Sequence, residues 1–160
     1  MKTPDQLTEA FRARGLKVTP QRQAIFAALA GNTSHPTAES VYAAVSAHMP
    51  TISLRTVYQT LNDLAEMGEL NHVHLGTGSS RFDPNLAPHH HLVCNECGQV
   101  TDVHTRFDDL GLDATEAAGY ALASTEIVFR GVCPACQRTA PQTSPSPTRP
   151  SSGEGGPPRH

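Results

Sequence analysis

The four cysteines are the residues of this 160-residue chain whose spacing points most directly to chemistry. They form two pairs, Cys94 with Cys97 and Cys133 with Cys136, and 35 residues separate the pairs. Two intervening residues let both thiolates of one turn face a single metal ion, and four thiolates suit tetrahedral Zn²⁺. A redox pair is the alternative, but neither pair is predicted to open a helix whose N-terminus would lower a thiol pKa. We therefore expect a structural zinc site.

A second candidate metal site is indicated by histidines and aspartates. His89, His90 and His91 begin a strand-like run, in which alternation places His89 and His91 on one face of the strand. Imidazole and carboxylate together form a donor set suited to Fe²⁺, Mn²⁺, Co²⁺ or Zn²⁺. A histidine run can equally be surface decoration, so the residues alone leave both interpretations open. The further candidate ligands on other segments are His35, Asp83 and Asp102.

The first half of the chain should supply the elements that position part of this second site. Apolar residues recur at helical spacing, and a Ser or Thr suited to cap a helix precedes the last three of the four predicted helices. Two short strands, 70–75 and 80–82, flank a glycine-rich turn at 76–79. This order of elements is typical of a winged helix-turn-helix domain. The predicted helices are 7–14, 20–30, 38–48 and 54–67.

The fourth predicted helix has a polar face opposite its apolar stripe. Side chains of these types can contact DNA phosphates or base edges. A solvated surface is the simpler explanation of the same pattern. The candidate DNA-binding residues are Arg55, Thr56, Tyr58 and Gln59.

Charge and composition exclude some functions. The net charge is −3, which argues against a sequence-blind nucleic-acid coat or a polybasic membrane binder. Residues 83–140 carry three Lys and Arg against eight Asp and Glu, so the acidic excess lies in the half that holds the cysteines. Residues 139–160 are rich in Pro, Ser and Gly and are expected to be a disordered tail. No signal peptide or membrane span is predicted, so we expect a cytoplasmic protein.

Several motifs in one order give the chain a family resemblance from about Gln6 to Cys136. The chain resembles transcriptional repressors of the ferric uptake regulator (Fur) family. The motifs that carry the resemblance are 16–22 (LKVTPQR), 35–38 (HPTA), 52–58 (ISLRTVY), 81–83 (RFD), the histidine run and both cysteine pairs.

The resemblance implies an α+β fold with two domains. A winged-helix DNA-binding domain would span 1–82, a hinge 83–88, and an α/β dimerisation domain with the four-cysteine zinc site 89–138. Within the last domain we expect a helix over 107–119 and a strand over 120–130. Members of the family bind pseudo-palindromic double-stranded DNA operators as homodimers when a divalent regulatory metal is loaded, and they release the DNA when it is lost.

The resemblance also assigns the regulatory ligands. Aspartate at both carboxylate positions is similar to the peroxide-responsive (PerR-like) subgroup, in which iron-catalysed oxidation modifies a ligand histidine. His35 and His91 would be the oxidised residues here. The implied function is a repressor that senses peroxide, with Fe²⁺ or Mn²⁺ as corepressor. The regulatory ligands would be His35, Asp83, His89, His91 and Asp102.

Other functions stay open at this point. A manganese- or iron-uptake regulator could use the same ligands without sensing peroxide. A nickel-responsive or zinc-uptake regulator is disfavoured. In the nickel subgroup a histidine that would join His72 and His74 stands at the position of Glu126, and we expect His72 and His74 to be exposed strand residues. A further metal site at Pro88, His90, Asp109 and Glu126 is disfavoured by the proline. A small non-haem iron enzyme, or a zinc-stabilised adaptor without DNA contact, belongs to a different class; we do not expect an enzyme.

Overall fold

The computed structural model describes residues 1–76, 78–107 and 110–139. The expected disordered tail lies outside the described residues, except for Thr139 at its start. The elements are α1 (Pro4–Ala13), α2 (Pro20–Leu29), α3 (Ala38–Ser46), α4 (Leu54–Glu66), β1 (Asn71–Val73), β2 (Arg81–Asp83), β3 (His90–Cys94), β4 (Val100–Val103), β5 (Val128–Gly131) and α5 (Pro134–Thr139).

The helix starts follow from their capping residues. The side chains of Thr19, Thr37 and Ser53 each accept a hydrogen bond from the backbone N–H three residues later, at 3.3, 3.2 and 3.1 Å. These bonds satisfy N–H groups that the first turn of a helix leaves unpaired. Helix α1 begins earlier than predicted, because Thr3 forms a capping box with Gln6.

The four N-terminal helices enclose the larger of the two cores. Residues of all four helices are buried in it, and Phe82 of β2 closes it from the hairpin side. Strands β1 and β2 pair antiparallel, with Asn71 opposite Asp83. We call this hairpin, whose described residues are 71–76 and 78–83, the wing. The winged-helix prediction is confirmed, although Asp83, expected in the hinge, is the last residue of the wing. The helical members of the core include Leu7, Phe11, Ile25, Phe26, Leu29, Val41, Val57, Leu61 and Leu64.

The C-terminal sheet has the strand order β4-β3-β5. Strand β3 pairs antiparallel with β4 and parallel with β5, so it lies in the centre. The strand expected over 120–130 forms only from Val128.

The helix predicted over 107–119 is wrong for the part of that segment that the structure describes. Residues 110–119 form an irregular segment and turns, while 108 and 109 lie outside the described residues. The Asp113 carboxylate accepts the N–H groups of Thr115 and Glu116, which favours a turn over a continuous helix. Phe107 packs against His90 and Phe129, but Leu110 and Leu112 are about half exposed, at 51% and 53%, so these two leucines do not anchor a helix against the sheet.

A second, smaller core joins the wing to the C-terminal sheet. Val73 and Leu75 of the wing pack with Val93 of β3 and Val100 of β4, and Val128 lies partly buried against them. This core therefore crosses the predicted boundary between the two domains.

Candidate metal centres and the exposed face of helix α4

The four cysteines converge at one end of the C-terminal sheet. Cys94 is the last residue of β3, Cys97 lies in the turn that follows, and Cys133 and Cys136 flank the start of α5. Their four sulfur atoms lie within 4.8 Å of one another, with Cys97 Sγ 3.8 Å from Cys133 Sγ. We call this set the thiol cluster. The expectation that no helix opens at either pair is wrong, because α5 begins at Pro134, directly after Cys133.

Hydrogen bonds divide the cluster into thiols of different acidity. Backbone N–H groups of Cys97 and Cys133 lower the pKa of Cys94 to about 6, because they stabilise its thiolate. Contacts with Cys133 and Cys97 raise the pKa of Cys136 to about 12. One divalent cation would satisfy all four sulfurs, and Zn²⁺ fits this donor set.

The histidines and aspartates converge where the two halves of the chain meet. His35 precedes α3, Asp83 ends β2, and His89 lies immediately before β3. His91 on β3 stands opposite Asp102 on β4 in the antiparallel pair. We call these five residues the His/Asp cluster. The five side chains are largely shielded from solvent, and His35 is only 1% exposed.

The reactive atoms of the His/Asp cluster face a common centre. His91 Nε2 lies 3.1 Å from Nε2 of His35 and 3.1 Å from Nε2 of His89. Asp83 Oδ2 lies 2.9 Å from His89 Nε2 and 3.7 Å from both His35 Nε2 and His91 Nε2. Asp102 Oδ1 completes the arrangement at 2.9 Å from His35 Nε2.

Two buried oxygen atoms make this centre suitable for a cation. Asp83 Oδ2 and Asp102 Oδ1 are both buried and accept no hydrogen bond. Each lies 2.9 Å from a histidine Nε2 but is not hydrogen-bonded to it. Buried carboxylate oxygens without a hydrogen bond are costly, and a divalent cation would satisfy both at once. Three imidazole nitrogens and two carboxylate oxygens suit Fe²⁺, Mn²⁺, Co²⁺ or Zn²⁺. The residues present therefore fit a metal ion.

Opposing effects act on the pKa of Asp83. Burial raises it, but the contact with His35, the hydrogen bond from the Asn85 N–H and the nearby charges of His35 and His89 together lower it by more. The pKa therefore lies below its ordinary value, and the carboxylate is ionised at neutral pH as a metal ligand must be.

The histidine rings are oriented by contacts that the sequence did not predict. Nδ1 of His91 lies 2.6 Å from Glu126 Oε1, and Nδ1 of His89 lies 2.7 Å from the Ala87 carbonyl oxygen. A ring that donates through Nδ1 keeps its Nε2 lone pair free for a metal. Glu126 is 35 residues from His91. No local spacing indicates that pair, and the sequence suggests Glu126 only for other metal sites.

His35 is held in an unusual backbone conformation. Its φ of +50° lies in the left-handed region, which non-glycine residues adopt rarely. Its carbonyl oxygen accepts a hydrogen bond from Arg81 Nη1 at 3.0 Å, while Arg81 Nη2 donates to the Gly98 carbonyl at 2.6 Å. Gly98 directly follows Cys97, so Arg81 connects the His/Asp cluster to the thiol cluster.

The candidate DNA-binding residues lie along α4. Arg55, Tyr58 and Gln59 are exposed, while Thr56 is half-buried and its hydroxyl lies 2.9 Å from Ser53 Oγ at the N-terminus of the helix. The sequence did not predict that the Tyr58 hydroxyl donates to Glu39 Oε1 of α3 at 2.6 Å. This bond lowers the pKa of Glu39 and raises that of Tyr58.

The other histidines singled out in the sequence lie elsewhere. His72 and His74 are exposed on the wing, as expected, with ring centroids 4.3 Å apart, and they belong to neither cluster. His90 faces away from the His/Asp cluster and accepts the Ile127 N–H through Nδ1 at 3.2 Å. Asp109 lies outside the described residues. Within the described part of the chain, no helix is long and apolar enough to cross a membrane.

The fold and the two clusters define a class of protein: a winged-helix unit joined to a small sheet, with a four-thiol cluster and a buried His/Asp cluster between them. The sequence profile of the ferric uptake regulator family matches residues 13–130. The chain belongs to that family, which confirms the resemblance noted in the sequence.

Several named proteins are similar to this chain over most of its length. The chain is 35% identical to the peroxide-responsive repressor PerR of Staphylococcus epidermidis, over 80% of this chain and 86% of the relative. It is 33% identical to the peroxide operon regulator of Bacillus subtilis, over 81% of this chain and 90% of that relative. Among solved structures, the Vibrio cholerae ferric uptake regulator is 30% identical with a TM-score of 0.59, covering 78% of this chain and 98% of its own. A zinc-bound manganese uptake regulator is 25% identical with a TM-score of 0.63, and the match covers 82% of this chain and 99% of that one.

Proposed function

We propose that the protein is a homodimeric, metal-dependent repressor that binds a pseudo-palindromic DNA operator. The proposal rests on one observation: the side chains of the His/Asp cluster come from both halves of the chain. His35 lies in the loop before α3 and Asp83 at the end of β2, whereas His89, His91 and Asp102 come from the C-terminal sheet and the residue that precedes it. A cation held by all five would fix the winged-helix domain, proposed to span 1–82, relative to the dimerisation domain, 89–138.

With ligands from both halves, a bound metal could control DNA binding by fixing the angle between the two domains. Two recognition helices enter successive major grooves only when about 34 Å separates them. A metal that binds one interdomain angle better than others shifts the population toward that angle, and DNA binding is coupled to metal binding in the same way. In each subunit α4 would enter the groove, with Arg55, Thr56, Tyr58 and Gln59 toward DNA.

We assign Zn²⁺ to the thiol cluster, and Fe²⁺ or Mn²⁺ to the His/Asp cluster. The first assignment follows from the four sulfur donors. The mixed nitrogen and oxygen donors of the second cluster suit several divalent ions, and the choice of Fe²⁺ or Mn²⁺ is supported by identity to peroxide-responsive relatives.

The further part of the proposal is peroxide sensing, which is supported by identity to relatives named for it. Bound Fe²⁺ would supply the redox chemistry that activates hydrogen peroxide. In the net reaction the peroxide O–O bond breaks, one oxygen atom bonds to a ring carbon of His35 or His91 whose hydrogen shifts to a ring nitrogen, and the other oxygen leaves as water with both peroxide hydrogens. The ring loses two electrons, the peroxide gains two, and iron is not consumed. The oxidised ring binds metal poorly, so the operator is released.

One experiment tests this proposal. The iron-loaded dimer is treated anaerobically with one equivalent of hydrogen peroxide, and operator binding and peptide masses are measured. We expect loss of binding and one added oxygen atom on His35 or His91, with no change in the manganese-loaded protein. His72→Ala is the matched control, because it removes an exposed histidine outside the cluster. Retained operator binding with unmodified histidines would refute peroxide sensing.

The alternative is a manganese- or iron-uptake regulator that uses the same five ligands. Its support is the similarity to the zinc-bound manganese uptake regulator. Such a protein would bind its operator with metal and keep it after peroxide, so the same experiment separates the two functions.

A further inference from the structure

The hinge residue Asn85 contacts both carboxylates of the His/Asp cluster. Its backbone N–H donates to Asp83 Oδ1 at 2.7 Å, and its side-chain Nδ2 donates to Asp102 Oδ2 at 2.9 Å. These two acceptors are the outer oxygens of their carboxylates. The inner oxygens, Asp83 Oδ2 and Asp102 Oδ1, are the buried atoms that lack a hydrogen bond and face the centre of the cluster.

Asn85 is itself fixed in place. Its Oδ1 accepts the Ala87 N–H at 3.1 Å, which sets the side-chain rotamer through an Asx turn. Its carbonyl oxygen accepts from Asn71 Nδ2 of β1 at 3.1 Å. The bond from Ala87 therefore fixes the side chain of Asn85 and the bond from Asn71 its backbone, which together position the amide that contacts Asp102. His104 approaches the same Asp102 oxygen only to 4.0 Å and is 73% exposed, so it does not replace this bond.

A carboxylate can bind a metal through one oxygen or through both. Binding through both would bring the metal onto the oxygen that accepts the hydrogen bond from Asn85, so the metal and the hydrogen bond would compete for the orientation of that carboxylate. A hydrogen bond to a charged group contributes about 1.5–3 kcal/mol, which is enough to favour one mode over the other. The two bonds from one residue thus restrict both aspartates in the same way.

We infer that Asn85 is a positioning residue that keeps Asp83 and Asp102 as single-oxygen ligands, so that the site offers a metal five donor atoms and leaves a sixth position open. The inference rests on the proposed function, because it takes both aspartates to be ligands. An open position would admit a small oxygen ligand such as peroxide. A residue of the hinge would thereby decide how the site reacts, without touching the metal.

The test uses Co²⁺ as a spectroscopic probe in the full-length, zinc-containing dimer. Asn85→Ala keeps the backbone N–H to Asp83 but releases Asp102. We expect Co²⁺ to bind about 10- to 100-fold more weakly, the usual cost of losing an outer hydrogen bond to a ligand. We also expect weaker visible Co²⁺ absorption, because the absorption falls when Asp102 contributes a second oxygen and the coordination number rises.

Leu86→Ala is the matched control. It shortens the exposed side chain next to Asn85 but leaves both carboxylate contacts and the bonds that hold Asn85, so its Co²⁺ spectrum should match that of the wild type. Asn85→Ser, whose side chain is too short to reach Asp102, is a second variant in case the alanine variant folds poorly. It should shift the spectrum in the same direction.

The outcomes separate this inference from the proposed function. If Asp83→Ala binds Co²⁺ with the affinity and spectrum of the wild type, the His/Asp cluster is not the metal site and both proposals fail. If Asp83→Ala loses binding while Asn85→Ala and Asn85→Ser keep the wild-type affinity and spectrum, only the role of Asn85 is overturned.

Discussion

Replacing one cysteine should unfold the C-terminal sheet while leaving the N-terminal helices intact. The sheet rests on the small core of Val73, Leu75, Val93 and Val100. Burial of one such side chain contributes roughly 1.5–3 kcal/mol, so the four together contribute roughly 6–12 kcal/mol before any entropy of ordering is subtracted. Zinc binding to small cysteine and histidine domains contributes about 10–16 kcal/mol at neutral pH. The zinc contribution is therefore at least as large as that of the apolar core.

The substitution is Cys97→Ser. Cys97 is exposed, so its replacement removes a zinc ligand with little change in packing. We expect the variant to release zinc and to lose amide protection over β3–β5, while α1–α4 stay protected by their larger core. Hydrogen exchange with mass spectrometry measures both regions in one sample, and a colorimetric chelator measures the released zinc.

Thr101→Ser is the matched control, because it lies exposed on β4 and leaves all four ligands in place. It should keep both its zinc and its protection pattern. A Cys97→Ser variant that lost zinc yet kept wild-type protection over β3–β5 would refute the argument that zinc stabilises this sheet.

Two further predictions concern the hydrogen bonds of Arg81 and the exposed face of α4. Arg81→Lys keeps the charge but cannot donate to the carbonyls of both His35 and Gly98, so we expect the free energy of unfolding to fall by about 2 kcal/mol, the contribution of one charged hydrogen bond. Urea denaturation followed by circular dichroism measures this, and an unchanged midpoint would contradict the role of Arg81. Arg55→Ala with Tyr58→Ala should weaken operator binding at least 10-fold, given about 1–3 kcal/mol for a base-edge contact. A gel shift at fixed metal and salt measures it, and wild-type affinity would remove α4 as the DNA-binding helix.

Local chemistry made much of the fold predictable. Three capping residues gave the starts of α2, α3 and α4, because a Ser or Thr side chain bonds within its own turn. The cysteine pairs likewise predicted a cluster, since four thiols at that spacing have few alternatives. The helix expected over 107–119 failed where a local Asp113 turn competed with a weak helical pattern.

The contacts around the metal site could not be predicted in the same way. Glu126 meets His91, and Asn85 meets Asp102, only after β3, β4 and the hinge have come together. Neither residue type signals such a partner, because Asn is common in turns and Glu on surfaces. The residues that could bind a metal were visible in the sequence, while the residues that orient them depend on tertiary structure.

The small core shared by the wing and the C-terminal sheet sets the energy scale on which any metal switch here must work. Separating the two would expose Val73 and Leu75, at a cost of roughly 3–6 kcal/mol. Moving a two-state equilibrium from 1:99 to 99:1 takes about 5.5 kcal/mol of differential binding. The two quantities are similar. The wing therefore has a preferred position in the absence of a regulatory metal. In the proposed switch, the ion would shift the balance between two existing populations.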